Sequence, residues 1–184
     1  EDPQIAAGVS MVRATAYMGQ EKYAEAIAPL QTYLRLAADG PDAEQSRRQL
    51  AVALAKVNRW DEAQRAYDQL NPATKQQEPF LQTTYLLAES AFAAGEKTWA
   101  RELFAELADE KNPPEYREKG LSGKAWSELD LNAHIRSAET FERLLRDFPN
   151  SPLAPEAALA RAAALEKAGQ HDAALATYSL VLKD

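Results

Sequence analysis

One ten-residue phrase returns along this chain, as "NRWDEAQRAY" (58–67), "GEKTWARELF" (95–104) and "GQHDAALATY" (169–178). Aligned on its small residue, the phrase gives Ala26, Ala63, Ala100, Ser137 and Ala174, each 37 residues after the one before. Five such units account for essentially all 184 residues. A fixed period of this length requires an array of one repeated supersecondary unit, in which neighbours bury each other's apolar faces. With the aligned residue counted as position 20, position 8 reads Ala14, Ala51, Ala88, Ala125 and Ala162, one residue type in all five units. Position 24 reads Leu30, Tyr67, Phe104, Phe141, Tyr178, and position 27 reads Tyr33, Leu70, Leu107, Leu144, Val181.

Positions 20, 24 and 27 have the i, i+4, i+7 spacing of one helix face. Small residues at 8 and 20 let two helix backbones approach closely while the bulky columns fill the next layer. Position 15 reads Glu21, Asn58, Gly95, Asn132 and Gly169. Gly and Asn tolerate the left-handed conformation that ends a helix, so the chain is expected to turn there between two antiparallel helices. Between units stand "DGPD" (39–42), "NPATKQQEP" (71–79), "NPPE" (112–115) and "FPNSPLAP" (148–155). Proline is expected to fall between units, where a helix must stop.

The small columns at 8 and 20, the large residue at 24 and the helix-turn-helix unit resemble the tetratricopeptide repeat. The resemblance implies an all-α solenoid, a right-handed superhelix of about ten helices in a single domain over residues 1–184, with units near 7–43, 44–80, 81–117, 118–154 and 155–184. The chain departs from the family in four ways. Its period is 37 residues rather than 34, which places the excess in longer second helices or longer loops. The family's proline at position 32 is present only as Pro149. Its large residue at position 4 is replaced by Ser10, Arg47, Thr84, Leu121 and Ala158, and position 7 reads Arg13, Leu50, Leu87, Lys124 and Arg161. The stretch 141–182 is also similar to the repeats of bacterial envelope proteins, which hints at a bacterial periplasm or cell envelope.

Composition narrows the partners. With 21 basic and 28 acidic residues the net charge is −7, and no stretch gathers Lys and Arg among aromatics, which argues against nucleic acid and anionic membranes. No apolar run approaches the roughly 18–20 residues that cross a bilayer. The absence of cysteine removes disulfides, thiolate metal sites and cysteine nucleophiles while leaving the compartment open.

Chemistry finds little to stand on. The two histidines, His134 and His171, both fall at position 17, where other units carry Tyr23, Trp60 and Lys97. A metal needs three or four ligands, so a half-buried residue opening each second helix is the better reading. The seven glycines form no phosphate loop, and no nucleophile-elbow motif is present. Acid pairs such as Asp61-Glu62 and Asp109-Glu110 lie near helix ends, where they complement the dipole or solvate the surface. No catalytic residue, metal or cofactor is assigned, and the chain reads as a non-catalytic scaffold for a protein or peptide.

By the resemblance, positions 2, 5, 9 and 12 line the concave wall. In the middle units these are Gln45, Arg48, Val52, Ala55; Gln82, Tyr85, Glu89, Phe92; and Lys119, Ser122, Trp126, Leu129. Tyr85, Phe92 and Trp126 stand out as a partner-binding aromatic patch flanked by Arg48 and Lys119, residue types enriched at interface anchors. The alternative role for these residues is packing within the array. The family's clamp for chaperone C-terminal tails has no counterpart, since position 9 contains no Asn. A last helix over about 172–183 carries Leu175, Tyr178, Val181 and Leu182 with nothing after it to cover them. That face is expected to be hidden by further chain, by a homodimer through the C-terminal repeat, or by an outer polar side. The rival reading is a repeat module that positions a catalytic or membrane-bound part of a larger protein, or that drives self-association.

Overall fold

The computed structural model describes residues 2–74 and 77–181, and for residues 180 and 181 the backbone alone. Ten α-helices run in order, with no strand among the described residues: α1 (Pro3–Gly19), α2 (Tyr23–Leu36), α3 (Ala43–Lys56), α4 (Trp60–Asp68), α5 (Glu78–Ala94), α6 (Lys97–Leu107), α7 (Pro114–Asp130), α8 (His134–Asp147), α9 (Ala154–Lys167) and α10 (His171–Val181). The odd-numbered helices are the first helices of the five repeats. The chain forms two compact units, Glu1–Ser90 and Ala91–Asp184, whose boundary falls inside α5.

Every helix pair turns by the same device. Position 15 has positive φ in all five repeats: Glu21 57°, Asn58 60°, Gly95 89°, Asn132 58° and Gly169 77°. The next N–H reaches back five residues, from Lys22 to the Tyr17 carbonyl, Arg59 to Leu54, Glu96 to Ala91, Ala133 to Glu128 and Gln170 to Leu165, at 2.8–2.9 Å. Together with the shorter bond from each position-15 N–H, this closes the first helix in a Schellman turn. The same residue then accepts from position 20 as the second helix starts, so one residue ends one helix and opens the next. No side chain caps the first turn of α2, α4, α6 or α8.

The small columns do what their size allows. All five position-8 alanines are 0% exposed, and Ala26, Ala63, Ala100 and Ser137 match them. The Ser137 hydroxyl donates to the Ala125 carbonyl at 2.9 Å, so the one polar member of its column is satisfied by the backbone it touches. Leu30, Tyr67, Phe104 and Phe141 are buried in the next layer, as are Tyr33, Leu70, Leu107 and Leu144. In the second unit, Leu121, Ala125, Phe141, Leu144, Ala157 and Ala160 form one cluster, joining a helix pair to the first helix that follows it.

The departures from the family pattern have local accommodations. Successive repeats are joined by six, nine, six and six residues; the second helices span 9–14 residues and the first helices 14–17, with α5 and α7 beginning ahead of the unit boundaries at 81 and 118. These loops are tied back. Tyr33 Oη accepts from the Asp42 N–H at 3.1 Å, and the Asn112 amide donates to the carbonyls of Glu106 and Leu107. Where the family has a large apolar residue at position 4, buried Thr84 pairs with Tyr67 Oη at 2.7 Å and donates to the Phe80 carbonyl. Proline does not fall only between units. Pro3, Pro114 and Pro155 occupy first turns, but Pro29 stands inside α2, where its ring nitrogen offers no hydrogen bond to the preceding turn. The helix expected at 172–183 begins at His171, Leu182 and Lys183 lie outside the described residues, and the side chain of Val181 is not described.

Candidate interaction face

The five sequence-selected residues divide between the two units, Arg48 and Tyr85 in the first and Phe92, Lys119 and Trp126 in the second. All except Lys119 are half-buried. Each stands on a first helix, one or two residues from a fully buried column, so the packing of the helix pair holds its backbone while leaving part of the side chain accessible.

Arg48, on α3, is turned inward toward α5. Its Nη1 donates to the Pro79 carbonyl at 2.8 Å, its guanidinium carbon lies 5.4 Å from the Phe80 ring centroid, and its Nε is buried with no acceptor. Burial lowers its pKa from the ordinary arginine value, although the group stays charged. In this structure the guanidinium joins α3 to the start of α5. Tyr85 shares a helix face with Glu89, one turn on. Burial first, and the Glu89 charge second, raise the Tyr85 pKa, and partial burial raises that of Glu89.

In the second unit, Phe92 is covered by the cation of Lys97. Lys97 Nζ sits 3.3 Å from the Phe92 centroid and 2.8 Å from an Asp130 carboxylate oxygen, which links the α5–α6 turn to the end of α7. Lys119 is exposed, with Nζ 5.6 Å from the Tyr116 ring. Trp126 meets Phe141 edge-on, at 5.4 Å between centroids and 83° between planes, and packs against the core cluster. Such a pair contributes about 0.5–1.5 kcal/mol beyond area burial. Trp126 thus has one side in the core and one side available. Leu159 on α9, in the same repeat position as Tyr85, is an exposed apolar side chain of that column in the fifth repeat. Extending the position-5 column from the middle repeats to the fifth finds it.

The second unit also holds two clefts whose linings include none of these aromatics. One, of about 410 Å³, is lined by Ala105, Asp109, Glu110, Lys111, Lys124 and Arg143, with an ion pair of 3.1 Å between Arg143 and Glu110. The other, of about 240 Å³, is lined by Glu166, His171, Ala174, Leu175 and Tyr178. His134 and His171 open α8 and α10, as position 17 predicts, with His134 half-buried and His171 exposed instead of half-buried. No group of three or more His, Cys, Asp or Glu side chains among the described residues is placed to hold a metal. Among those residues, no helix is long and apolar enough to cross a membrane.

Antiparallel helix pairs joined by identical turns, stacked through alanine columns and presenting half-buried aromatics on their first helices, define a helical-repeat protein of the kind that mediates protein–protein interaction. The chain belongs to the tetratricopeptide repeat family, whose sequence profile matches residues 11–79 and 123–184. No curated protein matches it in sequence. Among solved structures, the MamA protein is similar at a TM-score of 0.65 and 15% identity, covering 97% of this chain and 91% of that one. A putative kinesin light chain of Podosopora anserina with nearly identical TPR-like repeats gives 0.59 and 18%, covering 100% and 96%. Pseudomonas aeruginosa pilF gives 0.52 and 19%, covering 100% of this chain and 78% of that one. At these identities the likeness is one of fold.

Proposed function

We propose that this chain is a non-catalytic interaction module that holds a peptide or partner protein on the concave face built from its first helices. The observation that carries this reading is the contrast within those helices: position 8 is fully buried in every repeat, while Tyr85, Phe92 and Trp126 remain only half-buried. Large, stiff aromatic side chains held on a packed helix add contact area at little ordering cost, so most of that cost falls on the ligand. Tyr85, Phe92 and Trp126 are the anchors. Lys119 supplies an exposed cation at the rim, and Arg48 acts mainly by fixing α3 against α5. An array of overlapping synthetic peptides, probed with the wild-type chain and with a Tyr85→Ala/Trp126→Ala variant, tests the assignment. Peptides retained by the wild type should bind the double variant at least about tenfold more weakly, a loss of about 1.4 kcal/mol, with helicity by circular dichroism unchanged. Loss of helicity would make the two residues structural instead.

A second reading is self-association through the fifth repeat, in a module that also serves a larger protein. It is favoured by Leu175, an apolar side chain 64% exposed beside the smaller cleft.

A further inference from the structure

Each repeat contact in this chain has two halves, and among the described residues each half recurs once with no further helix packed against it. The first half is the outer face of a first helix at position 3. Ser46, Thr83, Gly120 and Ala157 fill that column in repeats two to five, and all four are buried. In the first repeat the column holds Val9, which is 54% exposed. Ile5 and Val12 extend it at 65% and 71%, and exposed Ala16 completes an i, i+4, i+7, i+11 stripe along α1. The second half is the outer face of a second helix. Ala138, at position 21, is buried in a cluster with Ala164 and Leu165 of the following first helix, and Phe141 and Leu144 cluster with Ala157 and Ala160. The position-21 equivalent on α10 is the exposed Leu175, and the equivalent of Phe141 is Tyr178.

The two faces match in register, and each of the two helices carries a single charge. By the intramolecular pattern, Leu175 belongs against the residues equivalent to Ala164 and Leu165, which on α1 are Ala16 and Tyr17, and Tyr178 belongs against Val9 and Val12. Valine suits that column in shape, since Thr83, its isostere, occupies it in α5. Although the chain carries seven net negative charges, the only charged side chain of α1 is Arg13 and the only one of α10 is Asp172. Their signs are opposite, so the net repulsion between copies is not concentrated at this contact.

We propose that copies of this chain associate head to tail, with α10 of one copy lying on α1 of the next so that the 37-residue register continues across the contact. This goes beyond pairing through the fifth repeat and shares only the α10 face with it. The contact is heterologous: each copy offers one head and one tail, and a single contact leaves one of each free.

Sedimentation velocity on the full chain over a range of concentrations, with the exposed-site variants Val12→Glu and Leu175→Glu, tests it. Circular dichroism should show both variants as helical as the wild type, and Ile5→Glu is a second head variant should Val12→Glu unfold. The wild-type mass should rise with concentration, each variant alone should stay monomeric, and an equimolar mixture of the two should form a 1:1 dimer, because the intact tail of one meets the intact head of the other. A mixture that stays monomeric overturns the proposal. A Val12→Glu variant that still dimerises while Leu175→Glu does not would overturn it in favour of symmetric pairing through the fifth repeat. A wild type monomeric at every concentration removes both.

Discussion

Glu21 is the single member of the turn column that is neither Gly nor Asn, yet it adopts the same left-handed backbone at φ 57°. An L side chain there costs about 1–2 kcal/mol, against about 0.5–1 kcal/mol for the extra chain entropy that glycine loses on folding. Glu21→Gly should therefore stabilise the protein by about 0.5–1 kcal/mol, read as a higher urea midpoint at unchanged slope. Glu89 bears a different strain. Partial burial raises its folded pKa above that of the unfolded chain, so the native state binds the proton more tightly. Stability is then lost as pH rises through that raised value, and the cost is fully present once pH lies above it. Glu89→Gln should raise the melting temperature at neutral pH, with the advantage closing below the ordinary carboxylate range, in a pH series of thermal melts. A wild-type advantage at neutral pH would mean that the carboxylate makes a favourable contact.

Helix against helix, the decisive quantity is how much room the small residues leave. On α7, a Cβ added to Gly120 would stand 2.5 Å from the Ala108 nitrogen, an atom of backbone that cannot swing aside. Overpacking of this kind costs about 1–3 kcal/mol and outweighs the roughly 1 kcal/mol that alanine gains in helix propensity. On α1, a Cβ on Gly8 meets nothing within 4 Å. Gly120→Ala should therefore destabilise and Gly8→Ala should stabilise by up to about 1 kcal/mol, the same substitution with opposite sign in chemical denaturation. The period puts a column at position 3, but residue type alone gives it no meaning. Gly120 and Val9 share it, and only the neighbouring helix decides that one residue has to be small while the other stands in the open.

At the scale of the compact unit, contacts among the described residues run mainly between consecutive helices. Stability in such an array is close to a sum of local terms. Glu21→Gly and Gly120→Ala, one in each compact unit, should add to within about 0.3–0.5 kcal/mol in the double variant. Larger non-additivity in urea titrations would reveal coupling along the array. The proposed face was only partly legible. The columns selected Tyr85, Phe92 and Trp126 as an aromatic patch flanked by Arg48 and Lys119, with packing as the other role. They did not bring up Lys97 over Phe92 or Arg48 on the Pro79 carbonyl. Neither follows from spacing, because each joins a side chain to a group on another helix or across a turn.

The sequence by itself determined the repeat, its period, the turn at position 15, the two alanine columns and the all-α class. These are set by residue size and backbone conformation, properties a residue carries wherever it is placed and which the period multiplies fivefold. Only the tertiary structure decided that Pro29 sits within a helix and that Arg48 is engaged in packing. It also showed that Val9 and Leu175 stand exposed where their counterparts in other repeats are half-buried or buried. Those outcomes depend on what lies against a residue across space, and two residues with the same place in the period can have different neighbours.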